Sequence, residues 1–572
     1  MKKRILSGLL VAAMLLASLS TAAFAADDTN AEAPDTGETQ TILPQSEGDA
    51  EQSTVTAPSY EVSTTAELSN ALTQIATSAD TEATVVLKAD VTLSNDATSG
   101  YISFFGANGK HITVKSDEGE MKKLSFPSYG VLTGDCTFDN VNVTGSRLFC
   151  NGYRTIFTEN GQIHLRETLY GGGYKTTVNS THVEIAASGY INPSSSSGLH
   201  DVIGGSYQGS VEKDTYLEIT GDIQMMGGNH LNPGCVKGDG TSGDATNIPD
   251  VYVGGNATLI YDNKNSTASP SIEGTYGCEM RGNVTLDIRS GRANEICGTQ
   301  EFVDTSIIRG DLHIIAGSPD YENTDRTLRL NSNWPIVGAG NLFAAEPGAV
   351  GNYAVNGDIV IDTYENVWAW DKGTEPDSDD LPNIYGALRG DVGGSITINV
   401  YGSHVEDITG ADHSNVTGNV TINAVDAELK NSDYDTEYDE GDILANYKST
   451  VTGKCAINVD GGDVNIIRLT NFEQINEGSQ ITITGSPKIR TGVVSTSNYD
   501  TTPENVAVTL TDCTATIPFI QSATHTHVTN NSDVKLNGLW LTGSLTVDEG
   551  SILKTDDLDD MELSGNVVVN GT

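Results

Sequence analysis

The stretch 384–431 decides the fold, because it reads as two consecutive units of 24 residues. The units are IYGALRGDVGGSITINVYGSHVED (384–407) and ITGADHSNVTGNVTINAVDAELKN (408–431), and they align without a gap. They share glycine and aliphatic positions, such as Gly386 and Gly410, and their aliphatic residues alternate with polar ones as in a β-strand. Self-similarity at a fixed period of this length indicates a solenoid of stacked repeats.

One local signal recurs through the chain, a glycine followed by Asn, Asp, Ser or Lys and then by alternating aliphatic residues. It begins at Gly255, Gly282, Gly310, Gly357, Gly394, Gly418 and Gly453. A single unit carries too few aliphatic residues to offset the entropy of ordering its backbone, so each unit needs neighbours above and below. Each unit has short strands, Gly/Asn corners and no helix, which favours an all-β, parallel β-helix. The corner residues Asn256, Asn283 and Asn419 are expected to satisfy backbone hydrogen-bonding groups.

One helix is predicted, at about 64–77. Thr64 and Glu67 have the spacing of a capping box, and the apolar residues that follow fall on one helical face. An amphipathic helix in this place is suited to cover the exposed strand at the N-terminal end of the solenoid.

The remaining organisation follows from composition. Residues 1–25 have the charged start, apolar run and small final residues of a secretory signal peptide, and 26–59 form an acidic leader predicted to be disordered. The β-helix is expected over 60–572. Its longer spacings are read as insertion loops at about 316–352, 364–383 and 430–447. The strand pattern continues to the last residue, so this end is expected to dock a partner or a further domain, or to belong to a longer chain.

The charge excludes one class of partner. The chain has 31 Lys and Arg against 77 Asp and Glu, a formal net charge of −46. Nucleic-acid affinity depends on Lys and Arg displacing counterions from phosphates, so nucleic acid is not expected to bind. No run after the signal peptide is apolar enough for membrane insertion.

The seven cysteines are sparse and lack metal-site spacing, which favours small buried hydrophobes. Cys278 and Cys297 are the one pair for which a disulfide bridge is considered.

The glycine-rich blocks at 169–174, 202–207 and 384–387 resemble the repeats of secreted right-handed parallel β-helix surface proteins of Gram-positive gut bacteria. These proteins have the pectin-lyase-like fold and are described as adhesin-like. The resemblance covers about 60–572 and implies a right-handed coil, export and a location outside the cell or on its surface. Because this fold also hosts polysaccharide lyases and hydrolases, the resemblance does not by itself assign an activity.

An enzymatic function is not favoured by the motifs. Of the motifs of polygalacturonase-like enzymes, Asn323-Thr324-Asp325 occurs but is followed by Arg326, and Gly-His-Gly and Arg-Ile-Lys are absent. No convergent set of acids and bases can be assembled from the sequence, so no catalytic residue is assigned.

The candidate ligand-binding residues are Trp368, Trp370 and Asp371. In an extended segment, residues two apart face the same way, so the two indoles form a platform on which sugar rings can stack. The alternative is that both rings pack the insertion against the solenoid.

A candidate calcium site lies in the acidic run that contains Asp433, Asp435, Glu437 and Asp439. Carboxylate oxygens are the ligands that calcium prefers. The spacing is not that of an EF-hand, and a solvated acidic loop is the alternative.

Three functions remain open. The first is a secreted or cell-surface, non-enzymatic protein whose lateral loops bind extracellular glycans or glycoproteins. The second is a polysaccharide lyase or glycoside hydrolase, and the third is a structural stalk within a longer surface protein.

Overall fold

A computed structural model of the protein describes residues 57–572, apart from 118, 194–199, 226–229, 238–249, 266, 300–305, 322–323, 332–334, 341–353, 371–381, 430–440, 472–474, 497–505 and 556–560. The described residues form a right-handed parallel β-helix, as the sequence predicts. Each coil runs through three strand-bearing faces, which we call A, B and C, before it returns to face A one rung further along.

Face A begins each coil. Its strands are Ser59–Val62, Glu82–Leu87, His111–Ser116, Cys136–Asp139, Thr155–Phe157, Thr181–Ile185, Thr215–Ile219, Ala257–Asp262, Val284–Ala293, Leu312–Ala316, Ile359–Tyr364, Ile396–Tyr401, Val420–Val425, Cys455–Asp460, Gln480–Gly485, Ala507–Gln521, His525–Thr529, Ser544–Val547 and Val567–Val569.

Face B follows. Its strands are Val91–Thr92, Lys122–Ser125, Val141–Gly145, Gln162–Leu165, Ser188–Ile191, Ile223–Gln224, Leu328–Asn331, Val367–Trp370, His404–Val405, Glu428–Leu429 and Ile552–Lys554.

Face C completes the coil. Its strands are Ile102–Phe105, Tyr129–Leu132, Arg147–Phe149, Leu169–Tyr170, His200–Ile203, His230–Asn232, Ser271–Thr275, Glu295–Thr299, Ile336–Gly340, Ile384–Leu388, Ile408–Asp412, Ile443–Tyr447 and Met561–Leu563. Strands Asp463–Thr470, Lys488–Thr496 and Asp533–Thr542 run from face B into face C, and the longer strands of face A also extend around a corner. Short pairs between faces C and A are Tyr252–Val253, Glu279–Met280, Ile307–Ile308, Asn415–Val416 and Thr450–Val451, and a single 3-10 turn spans Pro319–Tyr321 among the described residues.

The 24-residue repeat is one full coil. Ile384 pairs with Ile408 on face C, and Ile398 pairs with Ile422 on face A, so equivalent residues of the two units lie directly above one another. These four isoleucines are fully buried. Stacked aliphatic side chains of this kind fill most of the interior of the coil, together with a few phenylalanines such as Phe138 and Phe157 in the first rungs.

The Gly-Asx signal has a specific structural role at the corner before face A. From Asp214 to Asn419, the side-chain oxygen of each corner residue accepts a hydrogen bond from the backbone N–H of the equivalent residue one rung further along, at 2.6–3.2 Å, and Lys454 ends the series as a donor only. We call this series the corner ladder, and its members are Asp214, Asn256, Asn283, Asp311, Asp358, Ser395, Asn419 and Lys454. The expectation that Asn256, Asn283 and Asn419 satisfy backbone groups is confirmed.

The glycine before each corner residue is required by close packing between rungs. A Cβ atom on Gly282 would lie 2.4 Å from the carbonyl oxygen and 2.5 Å from the carbonyl carbon of Gly255. On Gly310 a Cβ atom would lie 2.3 Å from the side-chain oxygen of Asn283. The recurrent glycine therefore marks the place where one coil lies directly against the preceding one.

The predicted cap helix is present at Thr65–Thr77. Glu67 donates its backbone N–H to Thr64 Oγ1 at 3.2 Å, and its carboxylate accepts from the backbone N–H of Thr64 at 3.1 Å, which completes the capping box. Leu68, Ala71 and Ile75 are buried in the main core. The apolar stripe read from the sequence is therefore the face that packs on the first rungs.

The expectation that the cysteines are small buried hydrophobes is confirmed. All seven are buried and free, so the bridge between Cys278 and Cys297 does not form. Cys297 lies on face C opposite Glu273 and Val337, whereas Cys278 contacts Met280 in the core. The two thiols are held on different parts of the coil, because the register of the rungs and not sequence spacing sets their neighbours.

Strands occur inside two of the ranges read as insertion loops. Leu328–Asn331 and Ile336–Gly340 lie within 316–352, and Val367–Trp370 lies within 364–383. Each of these strands pairs with its neighbours as part of a rung. Much of the third range, 430–440, lies outside the described residues.

The corner packing predicts a large cost for one added methyl group. We expect Gly282→Ala to destabilise the protein by about 2 kcal/mol or more, because the new Cβ meets backbone atoms that cannot move aside. The measurement is the midpoint of urea unfolding. Gly538→Ala is the matched control, since its Cβ would lie 3.4 Å from its nearest neighbour, an ordinary contact. Equal midpoints for the two variants would contradict the proposed role of the corner glycine.

Candidate functional site

The structure places the side chain of one of the three predicted ligand-binding residues. Trp368 lies in the strand Val367–Trp370 on face B, and its partner in register is Arg329 of the preceding rung. Trp370 lies in the same strand and pairs with Asn331 of the preceding rung, but the side chain of Trp370, like all of Asp371, lies outside the described part of the chain. The candidate platform is therefore built on a rung of the β-helix.

Trp368 is an exposed aromatic residue of face B. Its residue surface is 36% exposed, and its ring centroid lies 4.0 Å from that of His404 on the next rung, with the planes at 31°. His404 in turn has its Nδ1 atom 3.4 Å from a carboxylate oxygen of Glu428. The indole is thus supported by a stacked ring while more than a third of its surface remains open to solvent.

Trp368 belongs to a continuous outward row that we call the lateral ladder. In rung order its members are Arg292, Arg329, Trp368, His404, Glu428, Asp463 and Lys488. The second half contains both signs of charge, since Lys488 forms an ion pair with Asp463 at 2.9 Å. The first half contains two guanidinium groups on adjacent rungs. The row therefore changes from cationic to mixed charge at the exposed indole.

The predicted calcium ligands Asp433, Asp435, Glu437 and Asp439 all lie within 430–440, outside the described residues. In the described ranges there is no group of three His, Cys, Asp or Glu side chains that could hold a metal ion. The calcium site remains a prediction from the sequence.

A second polar cluster lies on the outer side of face C, and sequence reasoning missed it. His230 and Glu295 are each 9% exposed, and Glu273 is fully buried. His230 and Glu295 both lie opposite Ser271, one on each neighbouring rung. The Nδ1 atom of His230 lies 2.7 Å from Oε1 of Glu273, and the ring of Tyr276 stacks on the imidazole at 4.2 Å between centroids.

Burial sets the protonation of this cluster. It raises the pKa of Glu273 well above the usual range of a carboxyl group, and it lowers the pKa of His230 to about 4. We therefore assign the short contact at neutral pH to a protonated Glu273 that donates its O–H to the neutral imidazole. Burial, and after it the neighbouring Glu273, raise the pKa of Glu295 to about 7.

The sequence does carry a signal for this cluster. Glu273 and Glu295 are acidic residues inside short strands, Ser271–Thr275 and Glu295–Thr299, that are otherwise uncharged. The signal does not reveal that the two strands are adjacent rungs or that His230 lies beside them. Those facts follow only from the register.

The comparisons with known proteins identify no relative. No protein-family model matches the chain, and no curated protein and no solved structure is detectably similar to it. Within the described ranges, no helix has the length and apolar character needed to cross a membrane.

The raised pKa of Glu295 predicts a pH-dependent difference in stability. The folded state holds the proton of Glu295 more tightly than the unfolded chain does. The contribution of this carboxyl to the free energy of unfolding is therefore fully present below its usual pKa of 4.5, and it is lost as the pH rises through about 7. Glu295→Gln stays neutral at every pH. We expect this variant to gain about 3 kcal/mol over the wild type between pH 4.5 and pH 8.

Urea unfolding at both pH values measures this difference. Glu120→Gln is the control, because the Glu120 side chain is 87% exposed. The difference in free energy of unfolding between Glu295→Gln and the wild type should change with pH, whereas that of the control should not. A constant difference for Glu295→Gln would show that burial does not hold the Glu295 carboxyl protonated.

Proposed function

We propose that this protein is a secreted or cell-surface, non-enzymatic β-helix protein that binds extracellular glycans through its lateral face. The observation that carries the proposal is Trp368, an exposed indole held on a regular rung and supported by a stacked imidazole. Export is inferred from the signal-peptide pattern at the N-terminus.

The location of Trp368 on a strand supports a binding role. Strands of a stacked solenoid are held by neighbours on both sides, so a side chain on such a strand is presented in a fixed direction. A large aromatic side chain that keeps 36% of its surface exposed gains less from packing than a buried one. Its flat apolar face matches the C–H face of a sugar ring.

The test is glycan-array binding by the full chain. We expect Trp368→Ala to lower the apparent affinity for bound glycans by about tenfold or more, because truncation of an aromatic anchor typically costs over 1 kcal/mol. Trp540→Ala is the matched control, since Trp540 is 38% exposed and lies in the strand Asp533–Thr542. Circular dichroism checks that both variants fold.

Two results would contradict the proposal. One is the absence of binding to any glycan on the array by the wild type. The other is an equal effect of the two tryptophan substitutions, which would assign binding to general surface hydrophobicity and not to the lateral ladder.

A glycoside hydrolase is the second candidate, and the observation that favours it is Glu295 on face C. General acid catalysis of glycosidic cleavage requires a carboxyl group that stays protonated near neutral pH, and the raised pKa of Glu295 fits that role. The reaction also needs a second, ionised carboxylate, and the raised pKa of Glu273 does not suit it to that role. Against it, both carboxyls are buried, so a substrate could reach them only after local opening. Arg326 follows the motif-like triplet in sequence. Its guanidinium group binds Asp262 and Ser290 and not the carboxyl groups of face C.

The hydrolase candidate predicts release of reducing sugars from polysaccharides by the wild type. Glu295→Gln would then reduce the rate by at least about a hundredfold, as expected for loss of a general acid. Trp368→Ala would act mainly on KM if the lateral ladder contributed to substrate binding. A lack of reducing sugar from a broad polysaccharide panel would reject this candidate.

A further inference from the structure

The lateral ladder places two arginines beside the exposed indole. Arg329 lies opposite Trp368 on the adjacent rung, and Arg292 lies opposite Arg329 one rung further away. Neighbouring parallel strands are about 4.8 Å apart. The backbone of Arg329 is therefore one strand spacing from that of Trp368, and the backbone of Arg292 is two strand spacings away. This distance is comparable to one and two sugar rings.

Arg329 differs from most arginines of the protein. Seven other arginines of the described ranges form ion pairs with Asp or Glu, namely Arg147, Arg154, Arg281, Arg289, Arg309, Arg326 and Arg490. Arg329 donates its Nε–H to Thr327 Oγ1 at 3.2 Å, and no carboxylate among the described residues pairs with it. The guanidinium group of Arg329 is therefore not neutralised by a carboxylate of the described residues.

The two arginines also oppose one another. They are half-buried and directly paired in register, so their like charges repel. Burial, and after it the charge of Arg329, lower the pKa of Arg292. An arrangement of two adjacent guanidinium groups is unfavourable by itself and becomes favourable when an anion lies between or above them.

Resting on the proposed function, we propose that the lateral ladder recognises glycans that carry a single carboxylate or sulfate group, with Arg329 binding the anion while Trp368 stacks on a sugar ring. The planar guanidinium matches either group with two parallel N–H···O bonds. The formal net charge of −46 repels a long polyanion, whereas one acidic group next to a neutral ring meets the local cationic part of the ladder. The ligand is therefore a sparsely charged glycan and not a polyuronate.

The experiment is isothermal titration of the full chain in physiological salt with four probes. These are N-acetyllactosamine, its terminally sialylated form, its singly sulfated form and polygalacturonate. We expect the two singly charged forms to bind at least about tenfold more tightly than the neutral sugar, since a charge-assisted hydrogen bond typically contributes this much. The two charged probes separate a preference for carboxylate from one for sulfate.

Variants locate the preference. Arg329→Gln is expected to bring the charged probes to the affinity of the neutral one, whereas Arg329→Lys keeps part of the preference because the charge remains. Arg154→Gln is the control, since Arg154 is more than half exposed and pairs with Glu184 elsewhere on the coil. Circular dichroism confirms that each variant is folded.

The outcomes separate this inference from the proposed function. Equal binding of neutral and charged probes, unchanged by Arg329→Gln, overturns the anion preference and leaves glycan binding in place. Tightest binding of polygalacturonate overturns the restriction to sparsely charged ligands. An absence of binding to all four probes overturns the anion preference, while the glycan array decides the proposed function separately.

Discussion

The structure depends on the close approach of successive coils at the corner before face A. There the side-chain oxygen of one corner residue accepts the backbone N–H of the next, and the preceding glycine allows the two backbones to touch. These contacts hold the coils in a constant register, so that equivalent residues lie directly above one another. The aliphatic stacks of the interior can form only because this register is maintained.

A constant register also determines what the outer surface can do. Because the interior is filled with buried aliphatic side chains, polar chemistry is confined to outward rows that run along the faces. Residues far apart in sequence become neighbours in such a row. Arg292 and Trp368 are separated by 76 positions in sequence but by only two rungs on face B. In the same way, His230, Glu273 and Glu295 meet on face C.

The two outer clusters differ in their exposure, and this difference ranks the functional candidates. The indole of Trp368 is open to solvent and lies beside cationic groups, which suits reversible binding of a ligand from outside. The carboxyl groups of Glu273 and Glu295 are buried, which raises their pKa values and restricts their access. Glycan binding is therefore the better supported function, and acid catalysis requires an opening of face C.

The architecture was readable from the sequence because its causes are local and repeated. The Gly-Asx signal, the alternation of aliphatic residues and the capping box at Thr64 each depend on residues within one coil, so the pattern predicted the β-helix and its cap helix. The exposed Trp368 was also identified from its neighbours in sequence, although its rung was read as an insertion loop. The sequence left a Cys278–Cys297 bridge open, and it does not form because proximity in sequence does not determine proximity across rungs.

The sequence by itself therefore determined the period, the corners and the inward and outward sides of each strand. Only the tertiary structure decided which outward residues meet, because coils differ in length and the neighbours of a residue are set by the rung above and the rung below. The pairing of Arg329 with Trp368 and the burial of Glu273 beside His230 are long-range consequences of that stacking. No local pattern encodes them, since the contacts form between segments whose separation along the chain varies from coil to coil.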